Sequence, residues 1–442
     1  MKKTFIRQTY YWLLPALLGL LTGCSNELDS LTTRSESNTD VVHEVRQAKT
    51  VTLLDGTLSA FGCTVQTLKT GEIYQICKPT NWNGDLIMYA HGYVSPYEPL
   101  AISTEADAIA PLLISQGYAF ATTSYSVNGL AVQPGITDIV NLRKSFVKQY
   151  GRPGHVYLTG GSEGGLITTL AIERYPDLFD GGLALCGPCG DFQRQINRYV
   201  DFRVLFDYYF PGVLPGTAVA IPDQLMQNWQ SVYVPLILGA MQANPVNTQK
   251  LLATADLIYA AESPATSAQA VLGLLWYDVF ATRNATQVLK GQPADNTTSV
   301  YINPFGSPAE NQQLNQQVQR FAGDKQAMKI IEKDYQTSAA LRIPLVQMHT
   351  SGDFLVPFWH LLLYQQKTVL KGTAALFTPI PIPDRFGHCT FTETELATSF
   401  GLLVAKVTGQ QPLLSQQLKA LSLGNNGKLV RSVSITEQAD VK

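Results

Sequence analysis

Gly160-Gly161-Ser162-Glu163-Gly164 lies between a strand-like run, His155 to Thr159, and a helix-like run, Leu166 to Arg174. In that setting it reads as a nucleophile elbow, a strand-to-helix turn so tight that side chains two residues before and after the serine would clash with the strained backbone. Gly160 and Gly164 fill those two positions. A serine hydroxyl is a weak nucleophile at neutral pH, so Ser162 needs a base within hydrogen-bond reach and an acid behind that base. His388 is the candidate base, because Gly387-His388-Cys389 follows the last strand-like run and precedes a helix opening near Thr392. Asp353 is the candidate acid: it directly follows the strand-like run Ile343 to Met348, and a carboxylate there would hold the imidazole tautomer and stabilise its cation. Asp384 is assigned to the local turn before His388, His360 to packing within an amphipathic run, and His155 to the start of a strand at the opposite edge.

A serine attacking a carbonyl also needs two fixed N–H donors for the oxygen that becomes negative. The backbone amides of Glu163, next after the nucleophile, and of Tyr93, in His91-Gly92-Tyr93, are the candidates for this oxyanion hole. His91 is expected to be buried and hydrogen-bonded, shaping the loop. Positioning these groups requires strands that end together. Residues 51–78 read as antiparallel strands and Leu86 to Ala90 as the first fully buried strand. Further strands are predicted at Tyr118 to Thr123, Val156 to Thr159, Gly182 to Leu185, Ile343 to Met348 and Ala374 to Thr378. They alternate with helical patterns near 102–116, 137–149, 165–175, 358–370 and 393–407. Such alternation predicts a doubly wound, mostly parallel α/β sheet covered on both faces.

Residues 191–341 interrupt the alternation without a convincing buried strand, and a structureless loop of that length would be improbable in a compact domain. Helical runs at Pro222 to Trp229, Leu251 to Ala261 and Ala309 to Ala322 predict a helical cap inserted between two core strands. The core is then 50–190 and 342–423, with a C-terminal tail at 424–442. Phe206, Tyr208, Tyr209, Phe210, Trp229, Tyr233 and Trp276 of the insertion could line an apolar pocket or form the insertion's own core, and both readings stay open.

The 442-residue chain, 45% hydrophobic and 15% charged, has an ordinary globular composition, which argues against a disordered or nucleic-acid-binding protein. Its N-terminus is distinct: Lys2, Lys3 and Arg7 precede an apolar run, Trp12 to Leu21, too short to span a bilayer, so residues 1–23 read as a signal peptide. Leu21-Thr22-Gly23-Cys24 resembles a bacterial lipobox, which implies cleavage before Cys24 and diacylglycerol on its sulfur. Removing three bases and no acid takes the formal net charge from −2 to −5, with no sign of an electrostatic partner. Residues 24–49, rich in Ser, Thr, Asn, Asp and Glu, read as a flexible tether. The expected location is export, with lipid anchoring to a bacterial membrane on the periplasmic or cell-surface side. Disulfides are expected there. Cys63 and Cys77 are mirror positions about Thr70, so a hairpin turning there sets them opposite one another. Cys186 or Cys189 is expected to bridge to Cys389, leaving one thiol over.

The elbow at Ser162, the chain order Ser162, Asp353, His388, the His91-Gly92 loop and the strands around them together resemble the α/β-hydrolase superfamily, over about residues 51–190 and 342–408. The resemblance implies a serine hydrolase that cleaves carboxylic esters through an acyl-enzyme intermediate. Within the superfamily, His388-Cys389 is similar to the tannase and feruloyl esterase branch, in which a cysteine beside the serine bonds to one beside the histidine. Gly161 stands at that position here, but a bridge from Cys186 or Cys189 would serve a similar end by tying the histidine loop to a neighbouring strand. Two alternatives remain. A prolyl-type serine peptidase would need an acidic or polar group to hold a peptide amine, and none is identifiable in the sequence. A non-catalytic surface lipoprotein would use the fold only to bind a ligand. No metal-ligand cluster, phosphate loop or dinucleotide fingerprint is present, so neither metal nor cofactor is expected. The expected partners are a small-molecule or polymer ester and, through the lipid anchor, a bilayer.

Overall fold

The computed structural model describes residues 62–409. The expectations for the signal peptide, Cys24, the tether and the C-terminal tail lie outside the described residues. Among the described residues, eight strands form one sheet in the order β1 (Cys63–Thr67), β2 (Ile73–Cys77), β4 (Ala119–Thr123), β3 (Leu86–Ala90), β5 (Val156–Gly161), β6 (Gly181–Leu185), β7 (Leu345–Gly352) and β8 (Phe377–Phe386). β1 and β2 pair antiparallel, as do β2 and β4, and every later pairing is parallel. This is a mostly parallel α/β sheet with a helical insertion between β6 and β7.

A parallel sheet with helices on both faces must be apolar on both faces, which is why the central strands read as unbroken apolar runs. On β3, Leu86, Met88 and Ala90 join one hydrophobic core, while Ile87 and Tyr89 join the core on the opposite face. Helices α1 (Thr104–Ser115), α2 (Val132–Tyr150) and α3 (Glu163–Arg174) supply the crossovers. α2 begins earlier than its apolar period suggests. Pro134 and Gly135, which look like a turn in sequence, occupy its first turn, where a proline's missing N–H costs nothing.

Two further boundaries moved. β8 does not stop at Thr378 but runs through Pro379, Pro381 and Pro383 to Phe386, and residues 374–376, expected to begin it, form a short helical turn. Prolines at alternate positions are tolerated because β8 is the sheet's edge, where one row of N–H groups has no neighbouring strand. Asp384 accordingly belongs to this strand and not to a turn; its carboxylate accepts from the Tyr259 hydroxyl at 3.5 Å.

Between β6 and β7 the described elements are all helical, from Phe192–Tyr209 to Lys325–Asp334, and two of them, Trp229–Tyr233 and Tyr277–Thr282, are π-helical turns. The expected run Leu251 to Ala261 is two pieces, ending at Thr254 and resuming at Ile258, and the run expected to reach Ala322 ends at Gln317. Phe206, Tyr209, Phe210, Trp229 and Tyr233 are buried in the larger core, with Tyr208 and Trp276 packed against it. Among the described residues no helix is long and apolar enough to cross a membrane.

Candidate active site

Ser162 sits between the end of β5 and the start of α3 with φ 55° and ψ −121°, a conformation that L-residues adopt only when their surroundings force it. The forcing is visible at its two glycines. A Cβ on Gly160 would lie 2.7 Å from the Ala90 carbonyl oxygen, and one on Gly164 would lie 2.6 Å from that of His91. The turn therefore closes only against the end of β3, and the Ser162 amide donates to the Leu185 carbonyl of β6 at 2.9 Å.

Asp353 and His388 reach the same place through the pairing of β7 with β8. That ladder slips at Thr350 and resumes with Gly352 opposite Phe386. Gly387 N–H donates to the Gly352 carbonyl at 3.1 Å, and the Thr350 hydroxyl donates to the Gly387 carbonyl at 2.8 Å. The chain thus delivers the carboxylate and the imidazole on adjacent strand ends. His388 Nδ1 donates to Asp353 Oδ2 at 2.6 Å, which leaves Nε2 to accept from the Ser162 hydroxyl at 2.9 Å. Ser162, Asp353 and His388 are all buried. The other Asp353 oxygen, Oδ1, accepts from the amides of Leu355 and Val356 at 3.0 and 2.9 Å. Burial alone would raise the Asp353 carboxyl, but the charge of His388 and the hydrogen bonds from His349 and His388 outweigh it and hold the group below the usual carboxylate range.

His349, four residues before the acid, is a contributor the sequence reading missed. Its Nε2 donates to the Val356 carbonyl at 2.7 Å and lies 3.5 Å from Asp353 Oδ2, so it braces the loop that carries the acid. A histidine directly after the apolar run Ile343 to Met348 was the available signal. His91 is buried as expected, its Nδ1 donating to the Gly92 carbonyl at 2.7 Å and its ring stacked on Tyr125. His360 is buried and structural, with Nδ1 accepting from the Gly190 amide and Nε2 donating to Gln195.

Of the oxyanion candidates, Glu163 is the first residue of α3, and its carboxylate accepts from the Ala131 amide at 2.9 Å. The Tyr93 ring packs against Trp276 and Tyr277 of the insertion, with centroids 6.2 and 5.7 Å apart. The cleft at Ser162 holds about 10 Å³ and is walled by Tyr89, Gly92, Glu105, Gly161, Ser162, His388 and Cys389. A larger cavity, about 500 Å³, lies within the insertion beside residues 218–222 and 282–287; it has no hydroxyl–imidazole pair and is not the candidate site.

Cys186 bridges to Cys389 and Cys63 to Cys77, while Cys189 is a free buried thiol. Cys186 follows β6 and Cys389 follows His388, so the bridge ties the histidine loop to the strand beside the elbow. Both cysteines have positive φ, 45° and 52°. Cys186, His388 and Cys389 are close enough together to suggest metal ligands, but the two sulfurs are bonded to each other and are not thiolates.

Residues 62–301, more than half of the chain, match the tannase-like family of unknown function (DUF6351). The chain belongs to this family. The tannase-like match ends before Asp353 and His388, and its name agrees with the resemblance carried by His388-Cys389, although the partner cysteine stands at the end of β6 and not beside the serine. No curated protein matches the chain in sequence. Among solved structures, it is similar to an esterase of Pyrococcus furiosus at 10% identity and TM-score 0.41, covering 80% of this chain and 94% of that one. Est1E from Butyrivibrio proteoclasticus is similar at 13% identity and TM-score 0.36, with coverage of 82% and 99%. An acylaminoacyl peptidase of Pyrococcus horikoshii is similar at 14% identity and TM-score 0.33, with 76% of this chain covered. The chain spans only 39% of that peptidase's length.

Proposed function

We propose that this tannase-like protein is a serine hydrolase that cleaves carboxylic esters through an acyl-enzyme intermediate. The observation that carries the reading is the unbroken series from the Ser162 hydroxyl through His388 to Asp353, with contacts of 2.9 and 2.6 Å. Ser162 Oγ attacks the acyl carbon as His388 Nε2 takes its proton, and Asp353 steadies the resulting imidazolium. The backbone amides of Tyr93 and Glu163 are the proposed donors to the tetrahedral oxyanion. His388 then passes the proton to the leaving alcohol, and water repeats the sequence to free the acid. The strained elbow favours catalysis over a purely ligand-binding role, since a retired site has no physical need to hold Ser162 at φ 55°. The proposal extends to location: a lipid on Cys24 would tether the enzyme to a bacterial membrane.

The test is covalent. A fluorophosphonate probe should label Ser162 in the folded protein, and Ser162→Ala should lose both the label and turnover of an aryl ester, by roughly 10⁶-fold where such series have been dissected. Aryl-ester hydrolysis that survives Ser162→Ala would refute the assignment.

A further inference from the structure

The wall of the nucleophile's cleft contains one acidic side chain, Glu105, from the first turn of α1. The remaining wall residues are Tyr89, Gly92, Gly161, Ser162, His388 and Cys389, so the wall holds no lysine or arginine to neutralise it. Glu105 is half-buried and makes no hydrogen bond or ion pair with any described residue. An acid in a helix's first turn is favoured by the helix dipole wherever it points. α1 has two such acids, and they are used differently. Asp107 is turned to the sheet, where it accepts from Gln75 Nε2 at 3.2 Å, while Glu105 faces the cleft without a partner. Dipole compensation does not select that direction.

A single unneutralised carboxylate in a narrow cleft sets the sign of the local field, and the buried Asp353 behind His388 has the same sign. We infer that Glu105 determines specificity by recruiting cationic substrates: esters carrying an ammonium group within a few bonds of the scissile carbonyl. The inference rests on the ester-hydrolase reading and narrows its substrate class. Esters with a carboxylate at that position are disfavoured. The cation can belong to either side of the ester, a quaternary or primary ammonium on the alcohol or an α-ammonium on the acyl group.

The experiment compares isosteric pairs. Acetylcholine is set against 3,3-dimethylbutyl acetate for a cation on the alcohol, and betaine ethyl ester against ethyl 3,3-dimethylbutanoate for one on the acyl group. The cation-to-neutral ratio of kcat/KM is measured for the wild type and for Glu105→Gln, and dividing one ratio by the other cancels the intrinsic reactivity of each ester. The quotient should be about tenfold on at least one pair, the size expected of one charge pair at a partly exposed site, and should shrink as salt is added. The pair that responds identifies the side that carries the cation. Glu105→Lys should carry the ratio further in the same direction. Quotients near one on both pairs overturn the inference and leave the hydrolase reading intact. Should no ester be cleaved by a Ser162-dependent route, that reading fails, and calorimetric titration with choline decides this one separately: binding weakened about tenfold by Glu105→Gln supports it, and equal or absent binding overturns it.

Discussion

Asp353 couples the chemistry of the site to its acid stability. Its folded carboxyl titrates below the ordinary value of 3.8, so the stabilisation it provides is complete above that value and is lost as pH falls through the lowered pKa. Melting temperature plotted against pH should therefore drop on the acid side, and Asp353→Asn should flatten that limb. The same substitution should leave an imidazole held in the wrong tautomer and reduce kcat by about 10⁴-fold. Ser162, Asp353 and His388 were legible in the sequence because each follows a strand-like run and is flanked by turn residues. Glu105 and His349 were not. An acid opening a helix looks like ordinary dipole compensation, and a histidine within a strand looks like core, until the fold shows what each one faces.

The two disulfides separate stability from catalysis at the level of elements. Cys63 and Cys77 are opposed in the β1–β2 ladder, far along the sheet order from β7 and β8, whereas Cys186–Cys389 joins the end of β6 to the residue after His388. Cys63→Ser should lower the melting temperature, at a cost of about 3 kcal/mol for a loop of that length, and leave kcat unchanged. Cys186→Ser should lower both, by about 2–5 kcal/mol in stability and measurably in kcat, because the histidine loop loses its tie to the strand beside the elbow. Unchanged kcat in Cys186→Ser would show that the β7–β8 ladder holds the base unaided. The hairpin pairing was readable from the symmetry of Cys63 and Cys77 about Thr70. The choice of Cys186 over Cys189 was not, because both lie just past β6 and only the backbone's direction there decides which sulfur faces the histidine loop. β8 was cut short in sequence for a similar reason: alternate prolines exclude a central strand, and edge position cannot be read from one strand's residues.

Across the whole molecule, helices between β6 and β7 make up much of the larger core, and their aromatic content was visible in sequence while its use was not. The π-helical turns at Trp229–Tyr233 and Tyr277–Thr282 carry no sequence mark that separates them from ordinary helix. The second of these turns holds Tyr277, which together with Trp276 rests on Tyr93. The walls of the cleft beside Ser162 come from the core, and the insertion reaches the site through the Tyr93 ring. Because the insertion leans on the residue whose amide is the proposed oxyanion donor, its aromatic packing and the catalyst share one support: Trp276→Ala should lower kcat for an aryl ester even though the mutated ring touches none of Ser162, His388 and Asp353.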